Sequence, residues 1–136
     1  MEQVEVAAGV VRDARGRVLI CQRMGELAGL WEFPGGKRER GESFAECLRR
    51  ELLEELSLEV MPEGEICRMP FVQGTKRMQF CFLLARLEMA DPCITLTVHQ
   101  DIRWVSTGQL ASYPLCPADE AFLRDFGHLL DSFVSN

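Results

Sequence analysis

No two of the six cysteines, Cys21, Cys47, Cys67, Cys81, Cys93 and Cys116, stand in a Cys-x-x-Cys pair. Most lie in apolar stretches, so the expectation is buried thiols in a reducing compartment rather than a zinc site or a disulfide framework. Also missing is any apolar run near the ~20 residues that span a bilayer. There is no internal repeat, no low-complexity tract and no Gly/Ser/Pro linker. Base is not in excess: 15 Lys and Arg face 21 Asp and Glu, a formal net charge of -6. A general nucleic-acid binder is normally basic, so long nucleic acid is excluded as a partner. A small anion can still be received through local cations or a metal. The opening Met1-Glu2-Gln3-Val4-Glu5 carries acid where a signal peptide carries base, which gives a cytoplasmic expectation.

What is present suits one domain over residues 1–136: 47% of the chain is hydrophobic and 26% charged. A chain of this size buries roughly 68–70% of its unfolded surface. Val4, Val6, Ala8 and Val10 alternate with other residues, as in a half-buried strand. Asp13 to Gly16 reads as a turn and Arg17 to Arg23 as the returning strand. Gly25 to Gly36 reads as loop. Ser43 to Leu56 reads as a helix, with Ser43 and Glu46 spaced as a capping box. Ile66 to Val72 and Met78 to Leu87 read as strands, with Ile94 to Val98 and Ile102 to Val105 as shorter candidates. Pro117 to Phe133 reads as a helix with Phe122, Phe126, Leu130 and Phe133 on one face. Strands mixed with two helices imply an α/β or α+β sandwich.

The informative segment is Gly35-Gly36-Lys37 and the helix after it. Phe44, Cys47, Leu48 and Leu52 define an apolar stripe, and Glu51, Glu54 and Glu55 fall on or beside that face. A solvated charged face fits Glu46, Arg49 and Arg50, but fits Glu51 and Glu55 badly. Like charges at these spacings repel, the more so when desolvated. A hard divalent cation would neutralise them, and Mg²⁺ takes carboxylate oxygens while sharing substrate phosphates. Gly35 and Gly36 permit unusual backbone angles and let a carbonyl come close to a ligand.

The order Gly36, five residues, Glu42, seven residues, Arg50-Glu51-Leu52, one residue, Glu54-Glu55, one residue, Ser57-Leu58 resembles the box of the Nudix hydrolases. Ser57 is the single departure, standing where the family has Gly just past the helix. Trp31 to Lys37 resembles the approach segment of MutT-type nucleoside triphosphate pyrophosphohydrolases. Tyr113 to Asp119 resembles their base-reading loop, in particular that of the CTP pyrophosphohydrolase branch. The resemblance implies a Nudix-type α/β/α sandwich, with a mixed β-sheet between helices.

It also implies Mg²⁺, with Mn²⁺ able to stand in, held by Glu51, Glu54, Glu55 and the Gly35 carbonyl. Arg50 would orient Glu51, Glu42 would support the site, and Glu51 would be the general base. A late acidic position of the family falls on Val98, with His99 and Asp101 nearby. The implied substrate is a nucleoside triphosphate, cleaved to monophosphate and pyrophosphate by a monomer or homodimer. Lys37, Arg38 and Arg40 either contact phosphates or belong to a solvated loop. Arg23 and Phe33 fall at the base, Phe33 with core packing as its alternative. Asp119 either reads the base or serves the helix dipole. Ionised, it only accepts, favouring exocyclic amino groups; protonated by burial, it also donates, and oxidised guanine joins the candidates. The competing functions are hydrolysis of ADP-ribose or a related dinucleotide, and a non-catalytic nucleotide-binding module.

Overall fold

The computed structural model describes residues 3–131. Seven strands form one sheet: β1 Gln3–Arg12, β2 Val18–Arg23, β3 Trp31–Glu32, β4 Gly35–Lys37, β5 Val60–Gln73, β6 Lys76–Leu87 and β7 His99–Val105. Two α-helices flank it, α1 Phe44–Leu56 and α2 Pro117–Phe126. The path β3-β2-β1-β6-β5 carries two additions, β4 on β1 and β7 on β2. The β1–β6 pair is parallel and the other pairs are antiparallel, so the sheet is mixed.

Period-two alternation builds a core on each face. Val10, Ile20, Phe80, Phe82 and Leu84 face one side, where Phe122 of α2 stacks on Phe82 at 4.0 Å between centroids. Val11, Leu19, Cys21, Cys81, Leu83 and Ala85 face the other, against Cys47, Leu48, Leu52 and Leu56 of α1. The expected apolar stripe of α1 is thus its buried side, and the architecture is the α/β/α sandwich.

Helix α1 starts as its sequence dictates. Ser43 Oγ accepts from Glu46 N–H at 3.0 Å, and Glu46 Oε1 accepts from Ser43 N–H at 2.8 Å. It ends at Ser57, whose φ of 55° lies in the left-handed region. The expected loop from Gly25 to Gly36 contains two strands, because β3 adds to β2 and β4 to β1. Strand β5 begins at Val60, earlier than its pattern suggests, since register shifts at Pro62/Gly64 and Glu65/Cys67 break the alternation. As the outer strand of the path, β5 can carry Pro62 and Pro70. Residues 94 to 98 are not a strand. Their polar groups serve the end of α1 instead: Thr95 N–H donates to Leu56 O and Thr97 Oγ1 to Glu55 O. Helix α2 stops at Phe126 and passes into a 3-10 turn over Gly127–Leu129. Leu130 is buried; Phe133 lies outside the described residues. No described helix is long and apolar enough to cross a membrane.

Candidate active site

A cleft of about 850 Å³ runs from α1 and β4, past β1, to β3 and the start of α2. Glu51, Glu55, Gly35, Gly36 and Lys37 line one end. Arg23, Glu32, Phe33, Cys116 and Asp119 line the other. Glu42, Arg50 and Glu54 stand behind the first end rather than on the wall.

At the helix end the double glycine is required for space. A Cβ on Gly35 would lie 1.8 Å from Ala7 O, and one on Gly36 would lie 2.3 Å from Glu51 Cδ. Neither glycine has a positive φ. Both are strand residues paired with Ala8 and Ala7, so the conformational freedom of glycine is not used and close approach is what demands it. Strand β4 can therefore lie flat on β1 while the Glu51 carboxyl rests on its back.

Arg50 folds back from α1 into a fork. Its Nε and Nη2 donate to the two Glu42 oxygens at 3.0 and 2.7 Å, and Nη1 donates to Glu51 Oε1 at 3.0 Å. Nη1 also reaches Glu54 Oε2 at 3.3 Å, and Nη2 reaches Lys37 O at 3.1 Å. The solvated-face reading of Arg50 is therefore corrected: it ties the loop, the helix and β4 together. Glu46 serves the cap, and Arg49 pairs with Glu88. Hydrogen bonds from Arg50, then from Glu39 N–H, hold Glu42 down at about 2. Those same bonds hold the Arg50 guanidinium above its already high value.

Glu55 behaves oppositely. Burial, and after it the Glu51 charge, push its carboxyl up to about 8. Its Oε1 is buried with no partner among the described residues. Glu54 is more open, its side chain 59% exposed. Crowded carboxylates with an unmatched oxygen are a hard donor set, which fits a divalent cation such as Mg²⁺.

At the other end Arg23 Nη1 meets Glu32 Oε1 at 3.0 Å, and His99 Nε2 meets Glu32 Oε2 at 2.9 Å. Asp119 is buried, and its Oδ1 accepts from Phe33 N–H at 3.1 Å. Burial, then the Glu32 charge, push Asp119 up to about 8. It lines the cleft and also occupies the first turn of α2. Phe33 is 3% exposed, with its ring edge-on to Phe82 and Phe122. Core packing thus describes most of that ring, and little of it is open for stacking on a base.

Lys37 is exposed at the cleft. Arg38 turns into a separate groove, pairing with Glu5, donating to Glu42 O and lying over Phe44. It is neither a phosphate-facing cation nor a solvated one. Arg40 is exposed. Val98 stands at the cleft, half exposed, while Asp101 binds Ile102 N–H and pairs with Arg103 away from the cleft wall.

Glu32, His99 and Cys116 were not assigned from sequence. Glu32 lay within the approach segment, but no pattern tied it to His99; that contact needs β7 beside β2. Cys116 is a buried thiol, as expected of most of the cysteines, but it stands on the cleft wall. Its sulfur and a carboxylate oxygen from each of Glu32 and Asp119 lie within 4.8 Å of one another.

Comparison with known proteins gives a consistent result. The model of the NUDIX domain matches residues 2–126. The CTP pyrophosphohydrolase of Escherichia coli (strain K12) is 36% identical over 130 residues, covering 93% of each chain. An 8-oxo-dGTP diphosphatase of Haemophilus influenzae is 34% identical over 91 residues, covering 65% of this chain and 67% of that one. The solution structure of the E. coli ORF135 protein superposes with a TM-score of 0.81 at 30% identity, covering 100% of this chain and 96% of that one.

Proposed function

This chain belongs to the Nudix hydrolases, enzymes of phosphoanhydride bonds, and on that premise we propose that it is a Mg²⁺-dependent nucleoside triphosphate pyrophosphohydrolase. It releases a nucleoside monophosphate and pyrophosphate, and clears unwanted nucleotides from the pool that feeds DNA synthesis. Its substrates are oxidised dNTPs of the 8-oxo-dGTP type, or CTP, dCTP and modified pyrimidine dNTPs. The observation that carries the reading is the pair Glu51 and Glu55 on the cleft wall, with Glu55 held near 8 and one oxygen unmatched. Two carboxyls kept this close favour a cation over solvent.

Glu51, Glu54, Glu55 and the Gly35 carbonyl are the groups that would hold Mg²⁺ or, in its stead, Mn²⁺. When bound, the ion supplies charge neutralisation at phosphate oxygens and lowers the pKa of water. Arg50 fixes Glu51 in one orientation and leaves Oε2 for the attacking water's proton. Glu42 keeps Arg50 in place through two bonds. Lys37 adds a cation beside the phosphates. The nucleobase lies at the far end, against Arg23, the edge of Phe33 and Asp119. A carboxyl held near 8 is mostly neutral at pH 7, so Asp119 offers an O–H donor and a carbonyl acceptor together. That pair matches a base edge with an acceptor beside a donor, as cytosine and oxidised guanine both have.

The test is pyrophosphate release with Mg²⁺ across normal and oxidised NTPs and dNTPs, run beside Glu51→Gln. Turnover lost in the variant without loss of folding supports the reading. Two monophosphates released from ADP-ribose, with no pyrophosphate from triphosphates, would replace it. Nucleotide binding without any product would make the chain a binding module.

A further inference from the structure

The base end of the cleft gathers a second set of ligand atoms, none of them from α1, although the Glu32 charge still reaches Glu55 and helps to push it up. One oxygen of Glu32, one of Asp119 and the Cys116 sulfur lie within 4.8 Å of one another. They come from β3, from the turn before α2, and from the first turn of α2. Their backbones are fixed: Cys116 N–H donates to Trp31 O at 2.8 Å, Cys116 O accepts from Glu120 N–H at 2.9 Å, and Phe33 N–H holds Asp119. Cys116 is 5% exposed, lines the cleft and is a free thiol. Behind Glu32 stands His99, itself 4% exposed, with Nε2 on the Glu32 carboxylate and Nδ1 without a partner among the described residues. Carboxylates that ligate metals are themselves held by hydrogen bonds, and Glu32 has two such partners, His99 on Oε2 and Arg23 Nη1 at 3.0 Å on Oε1.

We propose that Glu32, Cys116 and Asp119 form a binding site for a thiophilic divalent cation, Zn²⁺ or Cd²⁺, distinct from the hard-cation ligands on α1. The thiol decides the class. Oxygen donors alone suit Mg²⁺, whereas one thiolate with two carboxylates selects a softer ion. Bond lengths of ~2.3 Å to sulfur and ~2.0–2.2 Å to oxygen put tetrahedral ligand atoms roughly 3.5 Å apart. From separations of at most 4.8 Å, the three side chains reach that spacing by converging about 1.3 Å or less. Their backbones stay where they are, and the open cleft leaves a fourth position for water. Binding releases the Cys116 thiol proton, and the Asp119 proton where it is present, to solvent. The ion then stands where the nucleobase would lie, so it competes with nucleotide. That consequence rests on the proposed pyrophosphohydrolase reading; the binding itself does not.

Two measurements test the site. Isothermal titration calorimetry follows Zn²⁺ binding to the full chain in saturating Mg²⁺, which occupies the α1 glutamates. Ultraviolet absorption follows the cadmium–thiolate charge-transfer band on adding Cd²⁺. One Zn²⁺ per chain is expected, unchanged in Glu51→Gln and weakened at least 10-fold in both Cys116→Ser and Glu32→Gln. The cadmium band should persist in Cys93→Ser and vanish in Cys116→Ser. If Cys116→Ser does not fold, Glu32→Gln decides the Zn²⁺ arm. Zinc binding that survives both cleft variants, or that is lost in Glu51→Gln, overturns the site. So does a band that vanishes with Cys93. None of these readouts uses hydrolysis, so an inactive protein would sink the functional reading and leave this one standing.

Discussion

Gly36 and Glu51 share one small volume: a Cβ added to the glycine would stand 2.3 Å from the glutamate's carboxyl carbon and 2.4 Å from Oε2. The clash is with the far end of a flexible side chain, so the fold can absorb it while the carboxylate cannot keep its place. Gly36→Ala is expected to lower kcat about 100-fold, the scale of an ångström-size misplacement of a reacting group. Its melting temperature should fall little. Steady-state kinetics beside thermal denaturation checks this, and equal turnover would remove Glu51 from the chemistry.

Arg50→Lys should separate positioning from binding. Lysine keeps the charge but cannot grip both Glu42 oxygens and Glu51 at once. A kcat loss of about 10-fold or more is expected, with KM for nucleotide changed far less. A rise in KM alone would make Arg50 a binding residue.

Glu55 gives the metal-free protein a pH-dependent stability of predictable sign. Its folded value, about 8, lies above the ordinary 4.5, so between these the folded state holds more protons than the unfolded one. Stability is then fully present at the acid end of that window and is lost as pH rises through about 8. Asp119, also near 8, adds the same sign. Glu42, held at about 2, contributes no slope from pH 5 to 8. The melting temperature in EDTA should therefore fall from pH 5 to 8, and fall less in Glu55→Gln. Added Mg²⁺ should raise it more at pH 8 than at pH 5. A Tm independent of pH in this window would contradict the buried acid.

Asp119→Asn fixes a donor and an acceptor at every pH. The aspartic acid loses its donor as pH passes about 8. The kcat/KM ratio of 8-oxo-dGTP to an unmodified nucleotide should therefore fall above pH 8 in the native chain and stay flat in the variant. At any one pH the variant should lean further toward 8-oxo-dGTP. Using a ratio cancels titrations common to both substrates. Identical profiles would remove Asp119 from base recognition.

Ser57 holds φ 55° at the end of α1, a conformation glycine adopts without strain. Ser57→Gly should stabilise the fold by about 1 kcal/mol, a rise of roughly 4 °C in melting temperature, with activity unchanged. Calorimetry decides it.

Local rules were readable in the chain. The capping box, the apolar stripe of α1 and the long alternating strands each depend on neighbours within a few residues. The grouping Glu51, Glu54 and Glu55 was readable for the same reason. What stayed hidden depends on distant pairing. Strands β3 and β4 are too short to show a period and exist only because β2 and β1 offer edges. Bulges at Pro62 and Glu65 hid the start of β5. The stretch 94 to 98 looked like a strand until the carbonyls at the end of α1 claimed its polar groups. His99 reaches Glu32, and Cys116 reaches Asp119, only after β7 has docked on β2 and Trp31 has met the turn before α2.

The parallel pairing of β1 with β6 joins Gln3 to Arg77 and Arg12 to Arg86. A ribosome must therefore emit more than half of this polypeptide before the first strand can meet its central neighbour. Until then β2 and β4 cover only one flank of β1, and a row of backbone donors and acceptors stays open to any passing strand. Contacts so distant along the chain make for slow folding. That interval is therefore when a newly made molecule of this protein is most open to pairing with a strand of another chain.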